Sequence, residues 1–165
     1  MKISIETARL KLKPCHPNDL EAVHTLWIND RIRYFLFDDR VISSDEARSF
    51  IQDSLTNFEQ HGYGLWLIYL RKNHALIGFA GCLQSENQSP SLIYGIHPDY
   101  WNEGYATEAA SSVLRYVSSL EFACIVADVD EPNIASIQVL KKLGMKQTKQ
   151  AVINQKPLLY FEYLC

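Results

Sequence analysis

The segment from residue 91 to residue 129 constrains the fold most, because two apolar strand patterns flank one helix pattern in it. "SLIYGIHP" is a short apolar run that ends at Pro98, and "FACIVADV", residues 122–129, is a second one. Between them Gly104 precedes small residues and then apolar residues at helical spacing. We therefore expect residues 92–129 to form a crossover between two parallel strands. The turn around Gly104 then follows the carboxyl end of a strand, where open α/β sheets bind ligands.

The rest of the chain supplies further strands and helices. The hydrophobic pattern and the cap and turn residues predict strands over 3–14, 64–71, 76–84, 145–151 and 157–164, and helices from Pro17, over 44–60 and from near Pro132 to Gly144. The segment "NDRIRYFLFDDR", residues 29–40, is predicted to be a mixed aromatic and acidic connection. With the central unit this makes about seven strands and about four helices. The predicted fold class is α/β (α+β), with a mixed, mostly antiparallel sheet and helices on both faces.

Composition and charge restrict the class of protein. Hydrophobic residues make up 47% and charged residues 21% of a 165-residue chain, so residues 1–165 are expected to form a single domain. The formal net charge is −3 and the basic residues are scattered, so nucleic acid is not an expected partner. No stretch has the apolar length of a signal peptide or a membrane span, so a cytoplasmic protein without a membrane partner is expected. The four cysteines are widely spaced, which indicates free thiols and no metal site.

The turn at Gly104 is the first candidate site. Glycine permits close approach of the backbone, and free N–H groups at a helix N-terminus bind phosphate well. Here those groups belong to Gly104, Tyr105, Ala106 and Thr107. Neither the three-glycine dinucleotide pattern nor the P-loop ending is present. A helix cap without a ligand is the alternative interpretation of the turn alone.

Two longer motifs give the turn a more specific meaning. "IHPDYWNEGYATEAA", residues 96–110, and "EPNIASIQVLKKLGM", residues 131–145, resemble the GNAT superfamily of acetyl-CoA-dependent N-acetyltransferases. In detail they resemble its RimJ/RimL branch of ribosomal-protein N-terminal acetyltransferases, as does the opening "ETARLKLKPCHPNDLEAV". The resemblance covers nearly the whole chain. It implies splayed central strands, with the pantetheine arm of the cosubstrate in the gap and its pyrophosphate on the following turn.

The resemblance also assigns residues to the cosubstrate, acetyl-CoA. The implied cofactor-binding set comprises backbone groups of one strand, the turn and two residues of the next helix: Tyr94, Gly95, Ile96, Asn102, Glu103, Gly104, Tyr105, Ala106, Thr107, Asn133 and Ser136. The catalytic residues it implies are Ile96, whose N–H would polarise the thioester carbonyl, and Ser136, which would donate a proton to the leaving thiolate. Helix capping is the alternative role of Asn133 and Ser136.

The chain departs from the family pattern at three positions. Relatives commonly carry Gly and Lys where this chain has Asn102 and Glu103, and an acidic side chain facing a pyrophosphate would be repelled. Many relatives carry a proton-accepting Glu where Ser91 stands. The candidate bases are instead Glu86, Asp128 and Glu162, although an ordinary surface or paired carboxylate is the favoured interpretation of each.

The acceptor of the acetyl group is predicted to meet the loop "YFLFDDR". Phe35 and Phe37 would form an apolar wall, and Asp38 and Asp39 would attract a cationic amine, although a solvated loop with core aromatics fits equally well. The leading hypothesis is direct attack by a protein or peptide N-terminal amine in a ternary complex. The alternatives are a small amine acceptor (an amino acid, polyamine or antibiotic) and a CoA-binding protein without turnover. Both a monomer and a homodimer fit the sequence.

Overall fold

The computed structural model describes residues 3–165, in which eight strands form one sheet. The strands are β1 (Ile5–Glu6), β2 (Leu10–Pro14), β3 (Leu65–Leu70), β4 (Leu76–Gln84), β5 (Pro90–Ile96), β6 (Cys124–Asp130), β7 (Lys146–Ile153) and β8 (Lys156–Leu164). Their spatial order is β1-β2-β3-β4-β5-β6-β8-β7. All neighbours are antiparallel except β5 and β6, which are parallel. The predicted mixed, mostly antiparallel sheet with a central parallel pair is confirmed.

In the described part of the chain five α-helices accompany the sheet: α1 (Leu20–Trp27), α2 (Asp30–Leu36), α3 (Ser44–His61), α4 (Tyr105–Ser118) and α5 (Ile134–Lys142). Helix α3 begins at the predicted capping box of Ser43 and Glu46 and ends at Gly62, which has a left-handed conformation. Helix α5 ends before Gly144, also left-handed. Local cap chemistry therefore sets the bounds of these helices, as the sequence indicates.

Two predicted elements were wrong. The segment predicted as a connection, residues 29–40, contains α2, because the Asn29 side chain accepts hydrogen bonds from the N–H groups of Arg31 and Ile32 and so caps a seven-residue helix. So short a helix gives little periodicity to detect. The single strand predicted over residues 3–14 is divided into β1 and β2, which pair with each other around a turn closed by the Thr7 N–H and the Leu10 carbonyl.

Helices cover both faces of the sheet, as predicted. In β3 successive side chains point to opposite faces. Trp66 and Ile68 pack in a core cluster with α4, whereas Leu65 and Leu67 pack in a second cluster with residues of α1, α2 and α3. Within residues 3–165 no helix combines the length and apolar composition needed to cross a membrane.

Candidate functional site

The strands β5 and β6 separate almost as soon as they meet. They share a single pair, Ser91 with Val126, whereas β5 stays paired with β4 from Pro90 to Ile96. A cleft of about 890 Å³ opens beyond that pair, with walls from β5, β6, α2, α5 and the turn before α4. The splayed strands expected from the sequence are thus present at the centre of the sheet.

The register of β5 determines which backbone groups face this gap. The His97 N–H donates to the Ile77 carbonyl at 2.7 Å, so odd-numbered residues of β5 bond to β4 and even-numbered ones face β6. Tyr94 and Ile96 therefore direct their backbone groups into the gap, and the Ile96 carbonyl accepts the indole N–H of Trp101 at 2.6 Å. Gly95 lines the cleft but directs its backbone groups to β4. The sequence could not show that Tyr94 and Ile96 face the gap while Gly95 faces β4, because this depends on the register of β5 with β4.

The turn before α4 has two residues in the left-handed backbone conformation. Asn102 and Gly104 have φ angles of +63° and +81°, and no side chain caps the first turn of α4, which leaves its N–H groups directed outward. Asn102, Gly104, Tyr105, Ala106 and Thr107 all line the cleft. Glu103 is exposed and is absent from the cleft wall. The carboxylate that would repel a pyrophosphate therefore lies outside the cleft wall.

A side chain from the start of the chain holds this turn in place. The Arg9 guanidinium lies over the Tyr105 ring at 4.3 Å, donates to the Glu103 carbonyl at 2.9 Å and pairs with Glu108 of α4 at 2.7 Å. Partial burial opposes ionisation of Glu108, but hydrogen bonds from Thr7 and Arg9 outweigh it and lower the pKa of this carboxyl. Sequence reasoning missed Arg9 and Glu108, because no local pattern relates residues so far apart in the chain.

Asn133 and Ser136, the two residues predicted at the start of α5, both take part in the helix cap and line the cleft. The Asn133 side chain accepts the Ser136 N–H at 3.2 Å, which is the cap interaction, and both residues line the cleft. The Ser136 hydroxyl lies 2.7 Å from the hydroxyl of Tyr94, which also donates to the Ser136 carbonyl at 3.2 Å. Burial raises the pKa of Tyr94 to about 12, against a smaller lowering by the hydrogen bond with Ser136. This pair of hydroxyl groups bridges β5 and α5, and the Tyr94 side chain was not foreseen.

The predicted acceptor loop contributes less than expected. Phe35 of α2 lines the cleft, but Phe37 packs in the core against Trp27 and Phe50, with ring centroids 6.1 and 5.5 Å away. Asp38 and Asp39 lie outside the cleft wall. Asp38 lies 3.5 Å from Lys156, and Asp39 pairs with Arg33 at 3.1 Å. The α2 helix, and not the acidic loop, supplies this wall.

The candidate bases differ in position. Asp128 lines the cleft, as does Ser91, whereas Glu86 and Glu162 do not. Asp128 stays accessible to the solvent of the open cleft, yet the surrounding protein and then the neighbouring charge of Asp130 raise its pKa. Among residues 3–165 no group of three His, Cys, Asp or Glu side chains is arranged to hold a metal ion.

Known proteins resemble this arrangement. The model of an acetyltransferase (GNAT) domain matches residues 9–146. The uncharacterised N-acetyltransferase YoaA of Bacillus subtilis is 30% identical over 92% of this chain and 86% of its own. Two solved structures share the fold. The ribosomal L7/L12 alpha-N-protein acetyltransferase RimL in complex with coenzyme A has a TM-score of 0.83 at 15% identity, over 98% of both chains. The protein yncA of Salmonella typhimurium, with its cofactor acetyl-CoA, has a TM-score of 0.75 at 15% identity, over 94% of this chain and 93% of that one.

Proposed function

The chain belongs to the GNAT acetyltransferase family and is an N-acetyltransferase, and we propose that its acceptor is the N-terminal amine of a protein or peptide. The cleft supports transfer between two reactants, because residues from both faces of the sheet line it. Tyr94 and Ala127 line it on the α4 face, and Ile93 and Phe35 line it on the α2 face. A cosubstrate entering past α4 and an amine entering past α2 would meet at the gap. We propose further that residues 1–165 form one N-acetyltransferase domain around this sheet.

The residues of the cleft suit acetyl-CoA. The pyrophosphate would lie on the N–H groups of Gly104, Tyr105, Ala106 and Thr107, at the positive end of α4. The amide-bearing arm would pair with backbone groups of Tyr94 along the free edge of β5, as an added strand does. The Ile96 N–H, which faces the gap, would polarise the thioester carbonyl. Asn133, at the opposite wall, would contact the arm through its side-chain amide group.

The arrangement supports direct attack in a ternary complex. The amine nitrogen bonds to the thioester carbonyl carbon, the carbon–sulfur bond breaks, and the thiolate takes a proton. We assign that proton to the Ser136 hydroxyl, which the Tyr94 hydroxyl at 2.7 Å can resupply. Orientation of both reactants contributes a large part of the rate enhancement.

The protein N-terminus is favoured over small amines on two grounds. The α-amino group has a reference pKa of about 7.7–8.0, so a useful fraction is neutral near pH 7, whereas a lysine-type amine near 10.4 is almost wholly charged. The fold is also shared with RimL, a ribosomal L7/L12 alpha-N-protein acetyltransferase. A CoA-release assay over short peptides with free and blocked N-termini, amino acids, polyamines and aminoglycosides tests the proposal.

Each outcome of that assay has a definite meaning. Turnover with free but not blocked N-termini supports the proposal. Turnover confined to small amines would favour the second candidate acceptor class. Calorimetric binding of acetyl-CoA without transfer to any member of the panel would favour a CoA-binding protein without turnover, and would contradict the proposed acceptor.

Replacing Ser136 with Ala is expected to lower kcat on the order of tenfold with little change in acetyl-CoA affinity. The thiolate needs less assistance than a typical leaving group, since a thiol has a pKa of about 8.5, so the loss lies below the usual range for acid–base catalysis. Tyr94→Phe removes only the second hydroxyl of the pair and should give a smaller loss. Steady-state kinetics with calorimetric Kd values separate the two quantities. An unchanged kcat in Ser136→Ala would remove this residue from the mechanism.

Replacing Arg9 with Gln is expected to weaken acetyl-CoA binding about fivefold, roughly 1 kcal/mol, because the turn loses the cation that connects Glu103 to Glu108. Arg9 is exposed, so the fold should persist. Lys13→Gln removes a cation from β2 outside the cleft and serves as the matched control. Equal affinities of the two variants would show that Arg9 does not position the turn.

A further inference from the structure

We propose that Asp128 is the proton acceptor of the reaction, taking a proton from the ammonium form of the acceptor amine. The inference rests on the proposed function, since it concerns the same cleft. Only two carboxylates among the described residues line that cleft, Asp128 and Asp130. Ser91, beside them on β5, offers only a hydroxyl.

The position of Asp128 in the sheet carries the inference. In β6 the residues Ile125, Ala127 and Val129 pack in the core with α4, so by alternation Asp128 points to the opposite face, toward α2. The last β5–β6 pair is Ser91 with Val126. Asp128 is the next residue of β6 on that face, at the point where the gap begins.

The proposed proton donor and the proposed proton acceptor then lie on opposite faces of the gap. The Tyr94 ring packs with the α4 cluster, and its hydroxyl meets Ser136 on α5. Asp128 lies on the α2 face, which an amine would enter past Phe35. A thioester in the gap would have its sulfur near the hydroxyl pair and its attacked face toward the carboxylate. This arrangement suits the transfer, because one group can accept the proton from nitrogen while another gives a proton to sulfur.

Asp128 is also available for this role. Among residues 3–165 neither a salt bridge nor a side-chain hydrogen bond involves its carboxylate, in contrast to the paired Asp38 and Asp39. The surrounding protein and Asp130 raise its pKa, which makes the carboxylate a stronger proton acceptor near neutral pH.

The charged and titratable groups around it come from every neighbouring element. Asp130 is on the same strand, Tyr160 of β8 is directly opposite, and Arg31 of α2 and Lys142 of α5 line the same cleft. Asp38 of the α2–α3 loop and Lys156 of β8 act on Asp130, raising and lowering its pKa respectively.

The proton balance of the step is simple. The Asp128 carboxylate takes one proton from the ammonium group and leaves a neutral amine, which bonds to the carbonyl carbon as the carbon–sulfur bond breaks. The new amide nitrogen then loses its second proton to the solvent of the open cleft, and solvent returns one proton to the Tyr94–Ser136 pair in place of the one that Ser136 gives to the thiolate. Asp128 returns its proton to solvent, to which the open cleft exposes it.

The test compares the wild type with Asp128→Asn and Asp128→Glu on a peptide that has one free N-terminus. At pH 7 Asp128→Asn should lower kcat about tenfold, the factor by which an amine of pKa near 8 is protonated at that pH. At pH 9 the amine arrives neutral, so the defect should shrink to about twofold or less. Asp128→Glu retains the carboxylate and should recover most of the rate. Asp53→Asn, at an exposed position of α3 outside the cleft wall, is the control and should match the wild type.

Fold and affinity are measured beside the rates. A group whose folded-state pKa is raised contributes stability at low pH that is lost as pH rises through that pKa, so the charged Asp128 does not stabilise the fold at pH 7. Asp128→Asn should therefore unfold at the same or a slightly higher temperature and bind acetyl-CoA normally.

Three results would overturn the inference alone, given an active wild type. They are an unchanged kcat in Asp128→Asn, an equal defect at pH 7 and pH 9, and a raised KM with kcat intact, which would indicate a binding role. A wild type that transfers acetyl to no amine would overturn the proposed function and this inference with it.

Discussion

Replacing Thr107 with Glu is expected to weaken acetyl-CoA binding by on the order of 100-fold without loosening the fold. Thr107 is the third residue of α4, is partly exposed and lines the cleft. A carboxylate about 5 Å from a phosphate charge, at an effective dielectric constant near 20, is repelled by about 3 kcal/mol. That free energy corresponds to the expected loss of affinity.

The same substitution is favourable for the helix. Glu at the third helical position interacts well with the positive end of the helix dipole, so α4 should be as stable as before or more so. Thr107→Gln matches Glu in size and lacks its charge, so it separates repulsion from crowding. Calorimetric titration with acetyl-CoA and thermal unfolding measure the two effects. Affinities of the two variants within about threefold of each other would contradict a phosphate site at this turn.

Replacing Trp66 with Ala is expected to lower the free energy of unfolding by about 3–5 kcal/mol, the usual cost of truncating a buried aromatic residue. The Trp66 side chain has no solvent exposure and packs edge-on against Phe58 and Tyr116, with centroids 4.9 and 5.5 Å away. Its indole N–H donates to the Ile3 carbonyl at 2.6 Å. For a chain of this size the change corresponds to a fall in Tm of roughly 10 °C.

Two controls isolate the contribution of burial. Trp66→Phe keeps an aromatic ring and loses the indole hydrogen bond, so its loss should be clearly smaller. Tyr34→Ala removes an aromatic side chain that is 56% exposed and should leave Tm nearly unchanged. Denaturant unfolding with equal m values supports a simple change of stability. A Tm of Trp66→Ala within about 2 °C of the wild type would show that this core rearranges to fill the space.

The sequence located the turn before α4 from local backbone chemistry, and the role of that turn in binding stays a prediction. Gly104 and the first turn of α4 needed only a glycine, a helix start and their order, and the structure has them on the cleft wall. The prediction that the acidic loop lines the acceptor groove was less successful, because the type of a side chain does not show which way it points. Phe37 packs in the core, and Asp38 and Asp39 lie outside the cleft beside cations. The sequence likewise could not show whether the Glu103 side chain lines the cleft or faces solvent.

The sequence by itself determined the order of most strands and helices, the caps that bound α3 and α5, and the family. These features depend on residues that are near one another in the chain, whose spacing and cap chemistry are visible in one dimension. Tertiary structure alone decided the register that directs Tyr94 and Ile96 into the gap and the contact of Tyr94 with Ser136, 42 positions later. It also decided the ion pair of Arg9 with Glu108, 99 positions later, and the face of the sheet on which Asp128 lies. These contacts depend on how strands pair and twist apart, since pairing brings distant residues together and no local pattern specifies the register.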